Sequence, residues 1–355
     1  MHIDHIYENS VTLLKRLIET PSLSREEADA AEVIRENLKT AGIPFKSLLN
    51  NTWCFNKHWD NNKPVILLNS HIDTVKPVAG WTYEPYSVVV ENDKLIGLGS
   101  NDAGGPLVSL LGAFKYFYDQ TNLPFNLIFS ATAEEECSGS NGVALLVKQL
   151  DRVDFAIVGE PTQMELAVAE KGLVVIDCLV KGKAGHAARE EGVNSIYLAL
   201  DEIKKIKEFR FEKVSSKLGP VKMTVTQIEA GFQHNVVPDI CKFVMDVRTN
   251  ESYTNDEVID LITNLLDCEV LPRSTRLNSS GIEMEHPFVK KARLMGINCY
   301  GSPTLSDQSL MSYKSVKIGP GDSARSHTAN EFIMLKEIKE GIATYIKLLN
   351  GLVVA

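Results

Sequence analysis

Three short apolar runs end abruptly on polar, chemistry-bearing residues. Val65 to Leu68 runs into Asn69-Ser70-His71-Ile72-Asp73, Phe125 to Ala131 into an acidic triplet at Glu134 to Glu136, and Phe155 to Val158 into Gly159-Glu160. A strand that is apolar throughout needs cover on both faces, the situation of a mostly parallel sheet. Helical spacing lies between and around these runs. Val11, Leu14 and Ile18 repeat ahead of Pro21; Ala31, Ile34 and Leu38 form a face that ends at Gly42, with Ser24 and Glu27 at capping-box spacing before it. Gly105-Pro106 opens a segment carrying Leu107, Leu110, Leu111 and Phe114, and Val143, Leu146, Val147 and Leu150 mark another. Strands alternating with helices predict an α/β domain with an open sheet flanked by helices. Ligands of such sheets collect at the carboxyl ends of strands, where these polar residues stand.

The pattern changes after Lys171-Gly172. A strand-like run from Leu173 to Val180 is followed by a helical stretch Ile196 to Phe209, strands at Val221 to Ile228 and Cys241 to Val247, and a helix at Val258 to Leu266, with no acidic strand ends. This order predicts a small α+β insert. A strand at Val316 to Ile318 then returns the chain to the first domain. The expected division is 1-172 with 283-355 for the discontinuous first domain and 173-282 for the insert.

A formal net charge of -9 argues against nucleic acid or an anionic membrane as partner. No run approaches the ~18 apolar residues of a membrane span, and the start MHIDHIYENS lacks the basic and apolar segments of a signal peptide, so a cytoplasmic location is expected. The six cysteines are dispersed without a C-x-x-C pair and read as reduced thiols.

His71 and Asp73, two apart, point to one side of an extended strand, so one can bind a metal while the other takes the second ring proton. Asp102 lies among the glycines of GLGSNDAGG, where the backbone can bend closely and a carboxylate can bridge two ions; a plain turn fits the same letters. Three adjacent acids at Glu134 to Glu136 repel one another unless cations are near. They suit a ligand beside a general base, or a helix N-terminus. Glu160, held extended by Pro161, and His327 in SHTANE complete a set of carboxylates and imidazoles of the kind that hydrolytic Zn²⁺ sites use.

In order and spacing, SHIDTV, GLGSNDAGG, TAEEECSGSNG, VGEPT, KGKAGHA, GFQHNVVPD and GPGDSARSHTANE resemble the zinc aminoacylase and carboxypeptidase family. That family includes acetylornithine deacetylase, succinyl-diaminopimelate desuccinylase, aminoacylase and carboxypeptidase G. The resemblance implies a zinc-peptidase-like catalytic domain with a mixed sheet, an inserted lid domain that dimerises, and two Zn²⁺, with Co²⁺ or Mn²⁺ able to take the same ligands. It places His71, Asp102 and Glu160 at one ion and Asp102, Glu136 and His327 at the other. Glu135 becomes the general base and Asp73 the residue that orients His71, while His186, supplied by the partner subunit, polarises the substrate carbonyl. Asn235 and Arg248 fall where the family contacts substrate. The implied substrate is a small N-acyl amino acid, with N-acetylornithine in arginine synthesis foremost and a succinylated amino acid or a dipeptide as alternatives. Two stretches depart from many relatives: Ala187 to Glu191 after His186, and Ser302 to Leu305 before Asp307. Arg189 and Arg325 are the arginines that a succinyl carboxylate would seek.

Overall fold

The computed structural model describes residues 3–354. The chain divides into two compact units. Residues 3–168, Ile282–Tyr300 and 306–354 form the first, and Ala169–Gly281 with Gly301–Leu305 the second. Against the boundaries read from sequence, the second unit starts at Ala169 and also takes in the Gly301–Leu305 segment.

A mixed sheet organises the first unit. Within this unit its strands run in the order Phe45–Leu48, Asn51–Phe55, Asn126–Thr132, Val65–His71, Phe155–Val158 and Ser315–Lys317. The central pairs, Asn126–Thr132 with Val65–His71, Val65–His71 with Phe155–Val158, and Phe155–Val158 with Ser315–Lys317, are all parallel. Every residue of Val65–His71, Asn126–Thr132 and Phe155–Val158 is buried, as apolar strands covered on both faces require. Their polar ends are aligned by register: His71 is opposite Thr132. The helices Ile3–Ile18, Gly105–Phe117 and Leu335–Leu349 pack on one another, and Leu14, Phe114, Ile342 and Tyr345 among their residues are completely buried. Pro106 sits in the first turn of Gly105–Phe117, where its missing N–H is not needed.

Two local expectations need correction. The helix Ala28–Thr40 has no capping box: Ser24 Oγ donates instead to Asp73 Oδ2 at 2.7 Å, and Glu27 accepts from the backbone of Arg25 and Glu134 and from Asn50. Both side chains support the acidic strand ends, which outcompete the helix terminus for them. The apolar face from Val143 yields one short helix, Val143–Leu146, followed by a 3₁₀ turn at Val147–Gln149.

The second unit is an antiparallel four-stranded sheet in the order Lys222–Ala230, Ile240–Thr249, Gly172–Lys181, Glu269–Pro272. Burial alternates along Gly172–Lys181, so one face packs on the helices Ser195–Glu208 and Asn255–Leu265. Here a capping box does form, between Thr254 and Glu257. Among the described residues no helix is long and apolar enough to cross a membrane.

Candidate metal centre

The strand ends of the first unit bring together His71, Asp73, Asp102, Glu135, Glu136, Glu160 and His327. His71 closes its strand with Nδ1 2.9 Å from the backbone carbonyl of Asp73 and 3.4 Å from its Oδ1. Its principal acceptor is therefore the Asp73 carbonyl, with the carboxylate second. Either acceptor fixes the ring with Nδ1 protonated, which leaves the Nε2 lone pair for a metal. Nε2 lies 3.3 Å from Asp102 Oδ1 and 3.9 Å from Glu160 Oε1.

Asp73 does more than orient an imidazole. Its two oxygens accept the backbone N–H groups of Glu135 and Glu136 at 3.0 and 3.1 Å, so the acidic turn is hung from it. Glu134, the first acid of the triplet, faces elsewhere: its carboxylate accepts from the backbone and side chain of Asn141 and locks the following loop. The triplet thus splits into one structural acid and two that join the cluster.

Asp102 lies between the imidazoles. Its other oxygen, Oδ2, is 3.7 Å from His327 Nε2, and that nitrogen is 3.0 Å from Glu136 Oε2. The ligand atoms of His71, Asp102 and Glu136 lie within 4.8 Å of one another, as do those of His71, Glu135 and Glu160. The second grouping places Glu135 close enough to be a ligand as well as a base. His186, Asn235 and Arg248 all belong to the second unit. His186 pairs with Val236 in a two-residue ladder, Asn235 accepts the Ala187 N–H through its backbone carbonyl, and the Arg248 guanidinium is forked onto Asp246 at 2.9 and 3.0 Å.

Electrostatics test the fit to cations. Burial, then the neighbouring Glu160, Asp307 and Glu136, push the Glu135 carboxyl well above the usual range despite His71. Glu160 is raised well above by burial and by Asp102 and Asp307, against His71 and Lys317, and Glu136 is raised by burial and Asp102 against His327. Burial alone would lower His71, yet hydrogen bonds to Asp102 and Asp73 carry it well above its ordinary value; the bond to Glu136 lifts His327 to about 9. So dense a group of oxygens with imidazole nitrogens at its edge is the donor set of a divalent-cation site, and bound cations would remove the repulsion.

Two further buried acids were not singled out from sequence. Asp307 accepts from Asn69 Nδ2 at 2.7 Å and Thr132 Oγ1 at 2.9 Å, and burial lifts it to about 6. Glu331, at the end of SHTANE, accepts the backbone N–H of Asn101 and Asp102. The only hint in the letters is an acid in a short polar segment, which cannot be told from a surface turn without the fold.

A cluster of this kind at the ends of sheet strands defines a metal-dependent hydrolase class. The chain belongs to Peptidase family M20/M25/M40, whose model matches residues 67–351, and it is accordingly a hydrolase of amide bonds. It is 27% identical over 302 residues to a succinyl-diaminopimelate desuccinylase of Pelagibacter ubique, covering 78% of this chain and 76% of the relative. In fold it is similar to aminopeptidase PepT from Bacillus cereus, with a TM-score of 0.78 at 18% identity over 97% of this chain and 98% of the other. It is also similar to the YXEP protein of Bacillus subtilis, a dinuclear metal binding peptidase, with a TM-score of 0.73 at 16% identity over 98% of both chains.

Proposed function

We propose that the protein removes the acyl group from a small N-acyl amino acid, with N-acetylornithine the first candidate. In this reading His71, Asp102 and Glu160 hold one Zn²⁺ and Asp102, Glu136 and His327 the other, with Asp102 shared. The observation that carries it is the position of Asp102, one oxygen directed at each imidazole, at 3.3 and 3.7 Å. Two ions held there would supply Lewis acidity to the scissile carbonyl and to a water. Glu135 receives the proton of that water and returns it to the departing amine. Asp73 keeps Glu135 in place through its backbone N–H. His186 of the partner subunit would donate to the carbonyl oxygen as charge develops, and Asn235 and Arg248 would contact the substrate.

The second reading, a desuccinylase, is favoured by the name of the Pelagibacter relative. Arg325 is forked onto Glu337 at 2.8 and 3.1 Å, as Arg248 is onto Asp246, so either would have to release its own carboxylate before meeting a succinyl one. Arg189, largely exposed, is the remaining candidate for a succinyl carboxylate. Dimerisation through the second unit is part of the proposal. It is supported by the apolar side chains of Tyr197, Leu200 and Phe232, 69%, 55% and 80% exposed, and by the edge position of Lys222–Ala230. A panel of acetyl- and succinyl-ornithine, -citrulline and -diaminopimelate with a set of dipeptides tests the reading: preference for an acyl amino acid supports it, and turnover of dipeptides alone overturns it.

A further inference from the structure

Glu331 is 2% exposed, and its carboxylate is spent on backbone N–H groups. Oε1 accepts the N–H of Asn101 at 2.8 Å and of Asp102 at 2.9 Å. Its own carbonyl accepts the Gly97 N–H at 3.0 Å. One residue therefore holds both ends of the loop that presents Asp102. That loop is tightly bent: Gly99 has φ +75°, and a Cβ on it would lie 2.5 Å from Thr74 Cγ2.

The same two segments are joined again on the other side of His327. Asn101 Nδ2 donates to the Asp322 carbonyl at 3.0 Å and to Ser326 Oγ at 3.3 Å, while Asn101 Oδ1 accepts the Asp322 N–H at 3.0 Å. His327 is thus bracketed by Ser326 and Glu331, both tied to the residues around Asp102. The spacing between these two side chains is set by protein hydrogen bonds.

We propose that Glu331 is a positioning residue that fixes Asp102 relative to His327, so that the two-ion site is preorganised by the chain rather than assembled by the metal. The proposal rests on Asp102 and His327 being ligands. Loss of partners of this kind lowers metal affinity by about 10–100-fold. Glu331→Ala should weaken Co²⁺ binding to the metal-stripped chain by about that factor and alter the visible absorption of bound Co²⁺, whereas Glu331→Gln, which keeps an oxygen for Asn101 and Asp102, should stay within about threefold. Glu331→Asp withdraws the oxygen without removing the charge and should resemble Glu331→Ala; it carries the test if the alanine variant does not fold. A purely structural role would lower the thermal midpoint and leave Co²⁺ affinity and spectrum unchanged, and that result in the folded Ala or Asp variant overturns the proposal. Asp102→Ala separates the two claims. Weak Co²⁺ binding in Asp102→Ala with normal binding in Glu331→Ala overturns the positioning role alone, and normal binding in Asp102→Ala overturns the ligand assignment with it.

Discussion

Replacing Glu135 by Gln preserves the side chain's shape and removes its charge from a site crowded with carboxylates. Two effects of opposite sign follow. The chemical step loses its proton acceptor, which is worth about 10²–10⁴-fold in kcat. The metal-free protein, in contrast, becomes more stable. The carboxylate of Glu135 lies within 4.8 Å of that of Glu160; at that separation and an effective dielectric of about 20, two full charges repel by about 3.5 kcal/mol. Protonation of one member, which the upward displacement of both implies, already relieves part of this. A gain of about 1–3 kcal/mol in metal-free unfolding free energy is the expected outcome. The assays are steady-state hydrolysis of an N-acyl amino acid, elemental analysis of the purified variant, and urea unfolding after chelation. Near-normal turnover refutes the role of Glu135 as base. Loss of a full metal equivalent together with activity refutes it differently, by making Glu135 a ligand beside His71 and Glu160.

Lys115 offers a pH test outside the site. Burial lowers its ammonium from 10.5 to about 8, against a smaller opposing effect of Cys54. Below pH 8 folded and unfolded chains both carry the proton and the folded state bears the full penalty; between about 8 and 10.5 only the unfolded chain retains it, so stability rises with pH. Lys115→Met loses the 2.6 Å bond to Asn37 Oδ1 but should still stabilise the protein at pH 7 by about 1–2 kcal/mol relative to its effect at pH 10.5 in parallel urea titrations, and an unchanged difference across that window contradicts the argument. Arg325→Ala should destabilise by only about 1 kcal/mol, because Glu337 keeps the Met334 N–H, and should leave the ratio of acetyl to succinyl turnover unaltered; a selective loss of succinyl substrates would show that the fork opens. Gly139→Ala should lower the thermal midpoint markedly, since its Cβ would lie 1.8 Å from Glu134 Oε2 and break the Glu134–Asn141 lock. An unchanged midpoint would show that the loop can move aside.

The layered α/β architecture was legible because its signal is simple: runs such as Val65 to Leu68 and Phe155 to Val158 have to be buried on both faces. Edge strands were not. Phe45–Leu48 and Asn51–Phe55 carry mixed polarity, and the antiparallel hairpin they form is fixed by pairing with Asn126–Thr132 rather than by any pattern of their own. At the centre, residue types marked His71, Asp102, the Glu134 to Glu136 triplet, Glu160 and His327 as candidates, the family resemblance divided the triplet, and the fold gathers His71, Asp102, Glu135, Glu136, Glu160 and His327. What escaped the sequence are side chains whose partners lie far along the chain. Ser24 and Glu27 have the letters of a capping box, but hydrogen bonds to Asp73 and from Glu134 claim them. Asp73 reads as an orienting carboxylate, and only the fold shows it also holding the Glu135-Glu136 turn. Glu331 reads as the last letter of a motif, and its partners lie 229 and 230 positions away. Local spacing carries no information about such contacts.

The central claim is that two ions, shared through Asp102, equip this chain to hydrolyse an acyl amide. Its most direct test is to titrate Zn²⁺ into chelator-stripped protein while following bound metal and hydrolysis of N-acetylornithine and its succinyl counterpart on the same sample. The account predicts that deacylation appears as the site fills and levels off at two ions per chain. Full activity in the stripped protein, or a chain that binds two ions and hydrolyses neither substrate, would contradict it.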